Sequence, residues 1–191
     1  MKTQNNLKSW ALGALLLLGV GASAQQYTSQ NVTFGVTAHS LVGVNTNTLS
    51  FSFAAPTVAG DGLGAQNATA STQLYYSFLP SSPINGNSNG AKVKVNFIGI
   101  PSGMQVALTV DGSMCANLSS TVFGDLGTVA SGFSTGATLG NGATDIITGI
   151  GSSYTGTSYY DLTYSATIDD YSNLSSTFNG PTPVIQYTIT Q

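Results

Sequence analysis

The chain has one histidine, His39, and one cysteine, Cys115. A cysteine nucleophile needs a base beside it to hold the thiolate. His39 lies 76 positions upstream of Cys115, so nothing in the local sequence joins them. With no second cysteine, an intrachain disulfide is excluded. Cys115 reads as a small buried hydrophobe on a strand or loop near Met114; the sharper alternatives are an intermolecular disulfide or a reactive thiol. His39, within Thr37-Ala38-His39-Ser40, has serines and aspartates available as partners, but a catalytic triad is a geometric arrangement that composition does not show. It reads as a strand-end histidine facing solvent.

The seven acidic residues are all aspartates, at 61, 111, 125, 145, 161, 169 and 170. Glycoside hydrolysis needs two facing carboxylates, whereas these are spread through turn-rich sequence, where short Asx hydrogen bonds explain them. Asp169-Asp170 with a loop such as Asp61-Gly62 has the oxygen ligands calcium prefers, without an EF-hand loop. Gly60-Asp61-Gly62-Leu63-Gly64 neither follows a strand nor opens a helix, so it is no phosphate cradle. No cofactor is expected. Sugar binding is the stronger chemical candidate: Tyr75, Tyr76, Tyr154, Tyr159, Tyr160 and Tyr171 could stack on sugar rings, with Asn and Asp bonding the hydroxyls. On alternating strands about half of such tyrosines belong to the core; Tyr75, Tyr159 and Tyr171 are the ones expected to face a ligand. The sequons at Asn31, Asn67, Asn117 and Asn173 are what chance gives in a chain so rich in Asn, Ser and Thr.

These residues must be carried by an exported scaffold. Residues 1–24 have two lysines at the start, an apolar run Trp10–Val20 and a small-residue exit Ala22-Ser23-Ala24, the three parts of a cleaved signal peptide. The run is about half of a membrane span, so no membrane insertion is expected after cleavage. No cysteine marks a lipid anchor at the cleavage point, and no sorting tail is expected after Gln191. Over residues 25–191, Lys92 and Lys94 against seven aspartates leave a net charge of −5. Two cations do not neutralise a phosphate backbone, which excludes nucleic acid, or an anionic lipid surface. The expected destination is secreted, cell-surface or extracellular, or the periplasm.

The scaffold itself is written in period-two alternation, which places every second side chain on one face of a strand. Strands are predicted at Asn31–Thr37, Thr48–Phe53, Gln73–Leu79, Lys92–Phe97, Met104–Val110, Thr144–Ile150, Tyr160–Ile168 and Val184–Thr190. Ile100-Pro101-Ser102-Gly103 reads as a tight turn, predicting a hairpin between the strands that flank it. Turn-rich stretches at Gly60–Gly64, Asn85–Gly90 and Gly132–Gly142 separate the runs, and no window carries a capped helical pattern. Eight or nine short strands predict a single all-β domain over residues 25–191, an antiparallel β-sandwich. No internal repeat suggests a solenoid or propeller.

The Ala-Ser-Ala-Gln exit, the Ile100–Gly103 turn leading into Val106-Ala107-Leu108-Thr109-Val110, Asp145–Ile150, Leu162–Ala166 and the closing Tyr187-Thr188-Ile189-Thr190 resemble bacterial secreted fimbrial-type and spore-coat-U-like β-sandwiches. The likeness covers roughly the second half of the chain. It implies an Ig-like or fimbrial-like fold and a non-enzymatic surface, adhesive or fibre component. Chaperone–usher subunits are similar in having a terminal strand with a Tyr near its end, but they usually carry a disulfide, which one cysteine excludes. The expected partners are a second copy of the chain, or a surface polymer or glycan. Val32, Phe34 and Val36, alternating near the start of residues 25–191, form the candidate strand-donor segment.

Overall fold

The computed structural model describes residues 33–63, 67–82, 90–174 and 182–191. The signal-peptide reading of residues 1–24 lies outside them, as does Val32. Val36–Gln191 form one compact unit and Met1–Gly35 another; of the latter, residues 33–35 are described and have no regular secondary structure.

The larger unit is an all-β sandwich of two antiparallel sheets. Among the described residues its strands are ten: β1 (His39–Val44), β2 (Asn67–Leu79), β3 (Ala91–Ile98), β4 (Met104–Asp111), β5 (Thr128–Val129), β6 (Ala137–Thr138), β7 (Thr144–Ile150), β8 (Ser153–Tyr154), β9 (Tyr160–Ile168) and β10 (Val184–Thr190). Sheet A runs β1-β2-β9-β4-β6, with β8 also on β2; sheet B runs β10-β3-β7-β5. Two one-turn helices, α1 (Ser113–Ala116) and α2 (Ser120–Phe123), follow β4. Each is too short to leave a 3.6-residue pattern in the sequence. No helix among the described residues is long and apolar enough to cross a membrane.

Alternation does what it predicts in the long strands. Leu74, Tyr76 and Phe78 of β2, Val106, Leu108 and Val110 of β4, and Tyr160, Leu162 and Tyr164 of β9 line the inner face of sheet A. Val93, Val95 and Phe97 of β3 oppose them from sheet B within one buried cluster. β7 breaks the period: Ile146 and Ile147 are consecutive and both fully buried. The register explains it. Between Ala91↔Ile150, Val93↔Ile147 and Lys94↔Asp145, β7 uses one extra residue twice, and a bulge lets neighbouring side chains share a face. Gly149 takes φ +73° there, and a Cβ on Gly90 would meet its backbone at 2.6 Å. The two segments pass this closely because Gly90 has no Cβ, and glycine accommodates the positive φ at 149.

Three expectations are corrected. Ile100–Gly103 does turn, with the Met104 N–H donating to the Pro101 carbonyl at 3.1 Å and Gly103 at φ +80°. It does not make a hairpin: β3 is flanked by β10 and β7, β4 by β9 and β6, so the turn carries the chain from sheet B to sheet A. Period-two sequence identifies strands but not their partners. Residues 33–37 of the strand predicted at Asn31–Thr37 are not in a strand. Nor are residues 48–53, although Leu49, Phe51 and Phe53 are half-buried and Ser50 and Ser52 exposed, so the period survives without a ladder. The cause lies just upstream. The Asn45 side-chain oxygen accepts from the Gln73 N–H at 2.8 Å and the Thr72 hydroxyl at 2.9 Å. The Thr46 hydroxyl then bonds both the N–H and the carbonyl of Thr48. Such local side-chain bonds compete with a ladder and steer the chain off the edge of β2.

Candidate functional site

Where the chain leaves β2, the sandwich is open. Leu49, Phe51 and Phe53 on one side, and Phe97, Met104 and Ile185 from the strand ends, enclose an apolar cleft of about 560 Å3. Among the described residues β10 forms a ladder only with β3, while the Ser40 hydroxyl on β1 donates to its Ile189 carbonyl at 3.4 Å; the Val184–Tyr187 stretch beside this cleft has no second ladder partner. The inward side chains of β10, Ile185, Tyr187 and Ile189, are half-buried. Tyr187 is fixed across the core: its hydroxyl lies 2.6 Å from that of Tyr164 on β9. Burial, and then the neighbouring Tyr187, push the Tyr164 phenol far above its ordinary pKa.

Of the candidate donor residues, Phe34 and Val36 are 88% and 82% exposed and lie outside every strand. Their placement leaves two apolar side chains at i and i+2 turned to solvent. Val32 lies outside the described residues.

The tyrosines divide. Tyr76 and Tyr160 are buried, stacked at 5.8 Å, and both hydroxyls donate to the Leu126 carbonyl. Tyr75 and Tyr159 point out of sheet A and their rings meet at 5.9 Å. Tyr171 does not join them: it lies on a 3-10 turn beyond the far end of β9, about 30 Å along that strand from Tyr159. Tyr154 takes the place expected of it. It sits opposite Ser77 on β8, 43% exposed, against Phe123 at 5.2 Å. A two-residue strand between turns carries too little pattern to show which way its tyrosine points.

His39 is exposed at the start of β1, and its ring does bond a serine. Nε2 is 2.8 Å from Ser77 Oγ, and Nδ1 faces the Thr37 carbonyl at 3.3 Å. A carbonyl only accepts, so Nδ1 is the donor in its contact with Thr37, while Nε2 shares a hydrogen bond with the Ser77 hydroxyl. The third position of a triad is thus a backbone carbonyl. The glycine–serine–glycine spacing of a nucleophile elbow occurs at Gly132-Phe133-Ser134-Thr135-Gly136. Here it forms a turn between β5 and β6, not the strand-to-helix corner that elbow requires.

Cys115 is buried on α1, not on a strand or loop, and its thiol donates to the Tyr159 carbonyl at 3.4 Å. Burial raises its pKa to about 11, which keeps it a thiol at neutral pH. The Asp170 carboxylate, proposed above as a calcium ligand, accepts from Ser172 and Asn173 and caps the 3-10 turn; those bonds hold its pKa low. Among the described residues no three His, Cys, Asp or Glu side chains converge. Lys92 and Lys94 both reach Asp145 on the outer face of sheet B, each at 2.9 Å.

Comparison with protein-family models, curated proteins and solved structures gave no match.

Proposed function

We propose that this chain is an exported, non-enzymatic structural or adhesive subunit of the cell surface or extracellular space, which associates with its own copies by strand addition. The observation that carries the reading is a pair of complementary features on one molecule. A neutral segment with exposed, alternating Phe34 and Val36 belongs to no strand. An apolar cleft lies beside the Val184–Tyr187 stretch of β10, which among the described residues has a ladder partner, β3, on one side only. An extended segment laid along such an edge gains main-chain hydrogen bonds, while alternate side chains enter the cleft. The weakly charged surface does not oppose close approach of copies. The fimbrial-type resemblance of the second half of the chain points the same way.

Light scattering across a concentration series, with negative-stain microscopy, tests it. Oligomers or fibres that disappear in the Phe34→Asp/Val36→Asp double variant are expected, with the monomer's thermal unfolding unchanged. A wild-type protein that stays monomeric, or a deletion of residues 25–36 that unfolds the monomer, overturns strand donation.

A further inference from the structure

The outer face of sheet A carries a second surface, away from the cleft. Along β2, Gln73, Tyr75 and Ser77 alternate with the core residues and point outward. The register fixes their neighbours. Gly43 stands opposite Tyr75, and Leu41 and Tyr154 stand on either side of Ser77. Because Gly43 has no side chain, and a Cβ there would meet nothing within 4 Å, a recess opens beside the Tyr75 ring. The resulting groove, about 510 Å3, runs between Tyr75 and Tyr154 over Gly43 and Gly156. Leu41, 64% exposed, forms part of its wall.

Both tyrosines are braced from behind, Tyr75 by Tyr159 and Tyr154 by Phe123, so their rings are held in place before anything binds. Tyr154 and Tyr75 are diagonal neighbours across the β2–β8 pair, about 7–8 Å apart at their Cβ atoms. Beyond the Tyr75 end of the groove, the next outward position of β2 and its cross-strand neighbours are polar. Gln73 Oε1 accepts from Asn45 Nδ2 at 3.0 Å and from the Tyr75 hydroxyl at 2.8 Å. These bonds fix the Gln73 amide, whose Nε2 remains a donor. Asp161 lies opposite Gln73 and in turn opposite Asp111. The Ser77–His39 pair stands at the other end.

The charge pattern narrows the occupant. The only two cations of residues 25–191 are on sheet B, both paired with Asp145, so this face offers carboxylates and amides but nothing positive. An anionic polymer is repelled. A neutral pyranose chain fits: its C–H faces lie on aromatic rings, and its hydroxyls accept from Gln73 Nε2 and donate to the Asp161 carboxylate. We propose that the groove between Tyr75 and Tyr154 on the outer face of sheet A binds a neutral oligosaccharide. Tyr75 and Tyr154 supply the stacking surfaces, and Gln73 and Asp161 bond the hydroxyls. The surface is separate from the β10 edge, so it stands or falls independently of self-association.

The test is affinity electrophoresis of the full secreted chain through gels containing laminarin, mannan, xyloglucan or alginate. Tyrosine fluorescence titration, clean because the sole Trp is Trp10, provides a second readout. Retardation by at least one neutral polysaccharide and none by alginate is expected. Tyr154→Ala and the exposed-site variant Leu41→Arg should each weaken binding at least tenfold, with thermal unfolding unchanged, while Tyr171→Ala binds as wild type. If Tyr154→Ala fails to fold, Leu41→Arg decides alone. The proposal is overturned by no retardation in any neutral gel, by equal retardation in alginate, or by binding that survives the groove variants. A dimer that Leu41→Arg dissolves would also overturn it, by making the groove a contact between copies.

Discussion

The hydroxyl pair Tyr164–Tyr187 joins the edge strand β10 to the centre of sheet A, and its removal has an asymmetric cost that can be worked out from burial. Tyr164 is fully buried, whereas Tyr187 borders the open cleft. In Tyr187→Phe the Tyr164 hydroxyl loses its 2.6 Å partner where water does not reach, a loss of about 1–3 kcal/mol. In Tyr164→Phe the surviving Tyr187 hydroxyl can turn to water in the cleft, so the loss is about 0.5–1.5 kcal/mol, that of an ordinary hydrogen bond. The double variant leaves no orphan and keeps the ring volumes; it should be no worse than the milder single one. The two substitutions are therefore strongly non-additive. Urea denaturation of the four proteins measures this directly as midpoint shifts at constant slope. The corresponding melting shifts are about 2–4 °C per kcal/mol for a domain of this size. Additive losses, or a Tyr164→Phe variant less stable than Tyr187→Phe, would refute the argument that burial on one side and the cleft on the other set the cost.

Further outcomes follow from the same contacts. Burial raises the phenols of Tyr76 and Tyr164 far above 10 and that of Tyr160 to about 12. Their contribution is complete below the unfolded pKa near 10 and lost as pH rises above it, so equilibrium stability should fall steeply from about pH 10 upward, with phenolate absorbance appearing together with unfolding. Asp145 has a lowered pKa, mainly through Lys94 and then Lys92. Its contribution is present above the ordinary carboxylate range and lost as pH falls through the lowered value. Asp145→Asn should remove that acid limb at a cost below about 1 kcal/mol at neutral pH, the pair being part-exposed, as read from urea midpoints at pH 7 and pH 3. Gly103→Ala places a Cβ against the Asp170 carbonyl at positive φ, and calorimetry should show a loss of about 1–3 kcal/mol.

The sandwich was legible because six long strands each bury one face, and that requirement writes itself as alternation. Four features were not legible, each for a physical reason. The partner of each strand depends on contacts far apart in sequence, so the turn at Pro101 looked like a hairpin and proved a crossing between sheets. Leu49, Phe51 and Phe53 keep a strand's period because they pack on the core, yet Asn45 and Thr46 divert their backbone. β1, in His39-Ser40-Leu41-Val42-Gly43-Val44, is an edge strand with mostly exposed residues, so it leaves little apolar signature. Among the tyrosines, composition suggested a platform and the alternation of β2 placed Tyr75 on it. Choosing Tyr154 over Tyr171 required the β2–β8 register.

Outside residues 1–24, Lys92 and Lys94 are the only sites at which a protease that cuts after basic residues can act. Both lie within β3, hydrogen-bonded on one side to β10 and on the other to β7. A protease must draw its substrate into an extended conformation in its own cleft, which β3 can supply only after leaving the sheet. Cleavage would then track the small population of opened molecules. So few basic residues, all of them mid-sheet, make the native fold nearly invisible to trypsin-like enzymes and turn digestion into a direct reporter of unfolding.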